Sequence, residues 1–305
     1  MNIYVDSVAG NDTTGTGAVG APYKTLNKGL TVATTNDTIL LVPQATDYVM
    51  TANTIPAGLT IKTTTLLPPD LVNGVYARVN AGGAGYRWTL LGNLTCENIY
   101  FYNWASSSFD SFLWWNTAVG LAGITQIIQM TDCVFDTFST SISTNGRGGV
   151  FGNAGSVSAL QQLSITINFD RCLITNIKRY GAGESAFIHT FGSQFTINFR
   201  ETTYYNPAGG NELNKLVANY ITDSSIPYFR NCIITSDETS PSTLCESYGG
   251  VTNASTVENC NYYRMDTAGA SLTNSINSDP QFIDKSGKDF RLKSISPSID
   301  AGVLV

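Results

Sequence analysis

The sequence predicts an all-β chain wound as a parallel β-solenoid, and three observations carry that reading. The first is a motif that recurs with a cysteine at one place: NLTCENIYF, MTDCVFDTF, FDRCLITNI, FRNCIITSD and VENCNYYRM, centred on Cys96, Cys133, Cys172, Cys232 and Cys260. In a further copy, FRETTYYNP, Thr202 takes the cysteine's place, and the steps between markers are 37, 39, 30, 30 and 28 residues. A period of this size signals stacked units, none of which buries its apolar face alone. The second observation is alternation around each marker, as in SITINFDRCLI and SIPYFRNCII, which places one set of side chains on one face. The third is a second extended stretch in each unit: SFLWWNT, GVFGNAG, SAFIHTFG, NKLVANYI and TLCESYG. A third stretch runs into the next marker, giving three short strands per coil joined by Gly-, Ser- and Asn-rich corners.

Within each unit, Met130, Phe169, Phe199, Phe229 and Val257 lie three residues before the marker. Phe135, Ile174, Tyr204, Ile234 and Tyr262 lie two residues after it, so both sets are expected to face the core. The two longest steps are expected to hold loops, not extra turns. Stacked coils sit about 4.8 Å apart, so the markers should form an inward ladder of reduced thiols. Disulfide frameworks belong to smaller, cysteine-denser chains, and no CxxC pair suggests a zinc site.

The ends carry a family resemblance. The opening IYVDSVAGNDTTGTGAVGAPYKTLNKGL resembles that of right-handed parallel β-helix proteins of the pectate-lyase-like superfamily, where a strand, an Asp/Gly loop and a short capping helix precede the first coil. TILLVPQATDYVMTANTIPAGLTIKTTT is similar to that family's first full turn, and SDPQFIDKSGKDFRLKSISPSIDAG to its closing segment. The resemblance implies a single-stranded right-handed parallel β-helix with an N-terminal capping helix. We expect one domain over residues 1–305, with a cap at 1–35, coils at 36–275 and a closing segment at 276–305. Such proteins include lyases, hydrolases, viral spikes and inert scaffolds, so the resemblance speaks to fold more than to activity.

Composition narrows the classes. With 305 residues and 42% hydrophobic content the chain can build a large core. Only 13% of residues are charged, with Thr, Ser and Asn in their stead, a profile suited to virion or extracellular surfaces. The formal charge of −6 argues against general nucleic-acid binding, and no apolar run reaches membrane-span length. Met1 leads directly into a strand, from which no signal peptide is expected. Reduced thiols fit synthesis in a cytoplasm. By fold analogy the expectation is a bacteriophage virion component, with a secreted protein as the alternative location. Related viral spikes imply a homotrimer.

Two candidate sites emerge. The residue before each marker forms a column, Thr95, Asp132, Arg171, Glu201, Asn231 and Asn259, expected to point outward. Asp132, Arg171 and Glu201 there make either a surface charge ladder or a polysaccharide groove, with the two carboxylates two coils apart, roughly 9–10 Å from the strand spacing. An intervening arginine favours the charged form of both neighbours, whereas catalysis needs one protonated acid. Hydrolases resembling polygalacturonase carry paired aspartates, Gly-His-Gly and Arg-x-Lys. This chain has a single histidine, His189, between Ile188 and Thr190, and lacks that pattern. The calcium-type oxygens of Asp6, Asn11 and Asp12 are equally ordinary turn chemistry. No cofactor or metal is expected.

The second candidate is a glycan-binding edge of Trp114, Trp115, Arg147, Lys178, Arg179, Tyr180 and Glu184, with Trp104 at an earlier corner. Aromatic faces stack on sugars, and guanidinium forks match carboxylate or sulfate. The plain alternative is that these side chains pack inward or under a loop. The favoured function is a non-enzymatic structural or adhesive module that contacts surface glycans or other virion proteins. The competing one is a lyase or glycoside hydrolase acting on an acidic polysaccharide at the Asp132–Arg171–Glu201 column.

Overall fold

The computed structural model describes residues 1–65, 76–106, 111–115, 125–141, 147–152, 164–180, 184–191, 194–207, 215–220, 227–237, 242–248, 255–299 and 302. It is a parallel β-helix with three long sheets. Among the described residues the first sheet holds ten parallel strands, from Asn2–Val5 to Ala270–Thr273. The second holds seven, from Tyr48–Val49 to Ile233–Ser236, and the third eight, from Asn53–Ile55 to Met265–Asp266. Each coil visits the sheets in that order. Thr38–Leu41, Tyr48–Val49 and Asn53–Ile55 form the first full coil, after which Leu59–Thr63 pairs in register with the strand where it began.

The alternating sequence is realised directly. Along Ser164–Asp170 the side chains alternate between half-buried and buried, with Ile165, Ile167 and Phe169 inside. Equivalent residues stack from coil to coil, and the rings of Phe169, Phe199 and Phe229 lie nearly parallel, with centroids 5.0 and 4.7 Å apart. Phe135, Ile174, Tyr204 and Ile234 stack likewise in the second sheet. Each long step between markers is one coil, since Leu94–Glu97, Thr125–Thr131 and Ser164–Asp170 are immediate neighbours. The expected loops in those steps lie outside the described residues.

The marker alignment needs one correction. Cys96 pairs with Met130, so it belongs to the column three residues before the markers. Ile99 occupies the marker position in that coil, and the step to Cys133 is 34 residues. Thr95 likewise leaves its column, where Asn98 takes its place, and Asn98 and Asn259 are buried where the column was expected to point outward. The backbone explains why: Asn98, Asp132, Arg171, Glu201, Asn231 and Asn259 all have φ between 49° and 55°. This left-handed residue ends the first-sheet strand and starts the second-sheet one, turning the chain through a tight corner.

The top of the helix is closed. Thr25 caps the helix Leu26–Val32 by accepting from the Lys28 amide, and Leu26, Gly29 and Leu30 face the first coil. Asp6, Asn11 and Asp12 accept backbone N–H bonds from their own loop and from Lys24 and Thr25. At the other end the antiparallel hairpin Phe282–Asp284 and Asp289–Leu292 folds back over the second sheet. There Phe290 packs against Tyr205, and Lys285 and Lys288 reach Asp237 and Asp136. No described helix is long and apolar enough to cross a membrane.

Candidate functional site

The corner between the first and second sheets has an inner and an outer surface, and the two use side chains differently. Inside, the left-handed turn breaks the backbone ladder, leaving the marker amide and the carbonyl three residues before it without strand partners. The marker of the next coil supplies both bonds. Thr202 Oγ1 accepts from the Cys172 amide at 3.3 Å and donates to the Phe169 carbonyl at 3.0 Å. Cys172 Sγ bonds the Met130 carbonyl and Cys232 Sγ the Phe199 carbonyl, while Cys260 Sγ accepts from the Cys232 amide. Ser275 ends the series by accepting from the Cys260 amide and donating to the Val257 carbonyl. All six cysteines are buried, and none is in a disulfide. Burial pushes the Cys133 thiol up to about 12 and raises Cys172 and Cys232 as well. These three thiols are therefore uncharged bridging groups, not nucleophiles, while the hydrogen bond with Cys232 lowers the Cys260 thiol.

Outside, Arg171 sets a bidentate pair on Asp132, with both N–O distances 2.8 Å. The hydrogen bond to Asp132 raises the guanidinium pKa further. Both Asp132 oxygens are thereby already accepting, a poor arrangement for proton donation to a leaving group. One residue back along each coil runs a second row, Glu97, Thr131, Asp170, Arg200, Arg230 and Glu258, in strict register. Its arginines are incompletely paired. Arg200 lies 3.9 Å from Asp170, whose other oxygen accepts from Gln129. Arg230 lies 3.9 Å from the Glu258 oxygen that the Tyr228 hydroxyl already engages, and its buried Nε has no hydrogen-bond partner among the described residues. Asp170, Arg200 and Arg230, with Arg171, Glu201 and Asn231, line a cleft of about 230 Å³. An amide ladder flanks it: Asn198 donates to Asn168 at 2.8 Å and Asn168 to Gln129 at 3.0 Å.

Guanidinium donors from successive coils, about 4.8 Å apart, suit a planar carboxylate or a sulfate. The arginine row was legible two residues before the marker in FRET and FRNC, a column the sequence reading passed over in favour of its neighbour.

Arg147 starts its third-sheet strand in register with Glu184, and Lys178, Arg179 and Tyr180 end the second-sheet strand just before that corner. Trp114 and Trp115 lie at the far end of the third-sheet strands, Trp114 in register with Gly152 and Trp115 with Leu90. Lys178 is exposed, while the side chains of the other six residues lie outside what is described. Trp104 is not at a corner. It is buried in Ile99–Ser106 and donates to the Tyr86 carbonyl. His189 is buried in Glu184–Phe191, remote from the arginine row in the third sheet. No group of three metal-ligating side chains occurs among the described residues.

The fold and corner together define a parallel β-helix with a cationic cleft on its outer edge. No protein-family model matches the chain, and no curated protein matches its sequence.

Proposed function

We propose that this chain is a non-catalytic β-helical module, displayed on a virion or cell surface, that binds acidic glycans along the outer corner of its first sheet. The observation that carries the reading is the pair of under-engaged guanidinium groups, Arg200 and Arg230, in one cleft. Stacked coils hold them at fixed spacing, so little ordering is needed on binding. The amide ladder beside them adds donors and acceptors suited to sugar hydroxyls. Saturation of Asp132 by Arg171 supports binding over hydrolysis. Assembly as a homotrimer belongs to the same proposal and is tested by light scattering.

The deciding experiment is a panel of acidic and neutral polysaccharides, read for both binding and cleavage. The expected result is retention of uronate- or sulfate-bearing polymers, lost in Arg200→Ala/Arg230→Ala, with no new reducing or unsaturated ends. Sustained turnover that disappears in Glu201→Gln would replace this reading with a depolymerase. Binding that ignores both arginines would move the contact elsewhere, first to the Arg147–Glu184 corner.

A further inference from the structure

The C-terminal hairpin does more than cover the second sheet, because it leaves a cleft of about 630 Å³ between them. One wall is the second-sheet surface at Thr175, Asn176 and Tyr205, and the other is the hairpin with Lys285, Lys288 and Phe290. Lys285 donates to both oxygens of Asp237 at 2.8 Å, and Lys288 donates to Asp136. Each ammonium is thus fixed in place while keeping at least one N–H for another acceptor. Lys293, on the same rim, has no ion pair among the described residues.

A separate observation points to an occupant. Thr175 is fully buried and borders the cleft, yet its Oγ1 has no hydrogen-bond partner among the described residues. An unmet buried hydroxyl is a standing penalty that folded proteins rarely keep. Next to it Asn176 donates to Asp136, which leaves its amide oxygen to accept. The cleft therefore combines a rim of three lysines, two of them paired with Asp237 and Asp136, and the carboxylate of Asp284 with hydroxyl- and amide-type partners on its floor. Its volume lies within the range of small-ligand sites and far exceeds that of a bare oxyanion.

We infer that this cleft is a second ligand site, for a single acidic sugar unit whose carboxylate meets the lysine rim and whose hydroxyls meet Thr175 and Asn176. It shares no residue with the arginine corner, and the two proposals stand or fall separately.

The test is calorimetric titration of the full chain carrying Arg200→Ala/Arg230→Ala, so that the corner contributes nothing. The probes are glucuronate, N-acetylneuraminate, glucose and inorganic sulfate. The expected result is binding of the two acidic sugars, weakened at least tenfold by Lys293→Glu and by Thr175→Val, and unaltered by the distant Lys62→Ala. Thr175→Val should also unfold at the same or a higher temperature without ligand, since it removes the unmet hydroxyl. Absence of binding overturns the proposal, as does glucose or sulfate binding as tightly as the acidic sugars. Indifference to both Lys293→Glu and Thr175→Val overturns it equally.

Discussion

The inner and outer columns of the first corner are adjacent in sequence, each outer residue left-handed and each inner one not, and they follow different rules. Inside, Cys133, Cys172, Thr202, Cys232, Cys260 and Ser275 are all small and all carry a group that can both give and take a hydrogen bond, whereas Ile99, at the same position one coil earlier, is apolar. Outside, Asn98, Asp132, Arg171, Glu201, Asn231 and Asn259 share only their left-handed φ. From Cys133 onward the inner column is restricted because each coil leaves a buried amide and carbonyl that such a side chain satisfies. In the outer column Asp132, Arg171, Glu201 and Asn231 reach solvent while Asn98 and Asn259 are buried. Asn tolerates the left-handed conformation better than other side chains, and Arg171 and Glu201 each carry strain of order 1–2 kcal/mol. Variation in the outer column, at a conformational cost, is where selection for contact can act.

The contrast can be broken most forcefully at the core behind the corner. Phe199 lies between Phe169 and Phe229 in a continuous stack and is 1% exposed. Phe199→Ala should lower unfolding free energy by about 3–5 kcal/mol, measured by urea denaturation. A much smaller loss would mean that neighbouring coils close the gap and that the stack is not rigid.

The inner rule itself is tested at Thr202. Thr202→Val keeps the shape but removes both bridges, and should cost about 1–3 kcal/mol by stranding the Cys172 amide and Phe169 carbonyl. Thr202→Cys or Thr202→Ser should stay within about 1 kcal/mol of the parent, because each restores a bridging group. Equal losses for all three would show that packing, not hydrogen bonding, selects the residue. The same column predicts that a thiol reagent modifies no marker cysteine in the native chain, while six thiols react in denaturant.

Much of this architecture was legible in the sequence. The repeat showed the three-strand coil, strand alternation and the inward columns, since a two-residue period and a fixed step leave few other ways to bury Phe169, Phe199 and Phe229. The alignment slipped at Cys96 because cysteine was treated as the marker, whereas the corner is defined by the left-handed residue. Asn98 followed by Ile99 resembles Asn231–Cys232 and Asn259–Cys260 more closely than Thr95–Cys96 does. Phe101, two residues beyond Ile99, completes the match with Phe135. The arginine cleft was half legible: its columns were present, but the partial pairing of Arg200 and Arg230 depends on Gln129 and Tyr228 arriving from other positions. The hairpin cleft was not legible at all. Lys288 meets Asp136 across 152 residues, a contact no period encodes.

That hairpin offers a pH test of the closing segment. Burial alone would raise the Asp136 pKa, but hydrogen bonds from Asn176, Lys288 and Tyr100 outweigh it and hold the carboxyl below its ordinary 3.8. Asp237 is lowered in the same way by Lys285 and Tyr205 against its own burial. Both folded-state values are depressed, so their contribution is fully present above pH 3.8 and falls away as acid protonates the folded carboxyls below it. Limited proteolysis with an acid-active protease should therefore nick the 282–292 segment before the coils as pH drops from 5 towards 2. Simultaneous loss of hairpin and coils would show that the closing segment is part of one cooperative unit.

The smallest effect is expected on the outer face. Arg171→Asn relieves left-handed strain and removes an exposed pair on Asp132, two changes of opposite sign. Arg171 is about half exposed, and such pairs contribute no more than about 1 kcal/mol, so the net change in stability should be under about 0.5 kcal/mol. Glycan retention should fall nonetheless, because Arg171 lines the cleft with Arg200 and Arg230. A residue that matters to contact but hardly to folding is the expected signature of the outer column. If Arg171→Asn unfolds the chain as readily as Thr202→Val, the outer column is structural and the division between the two faces fails.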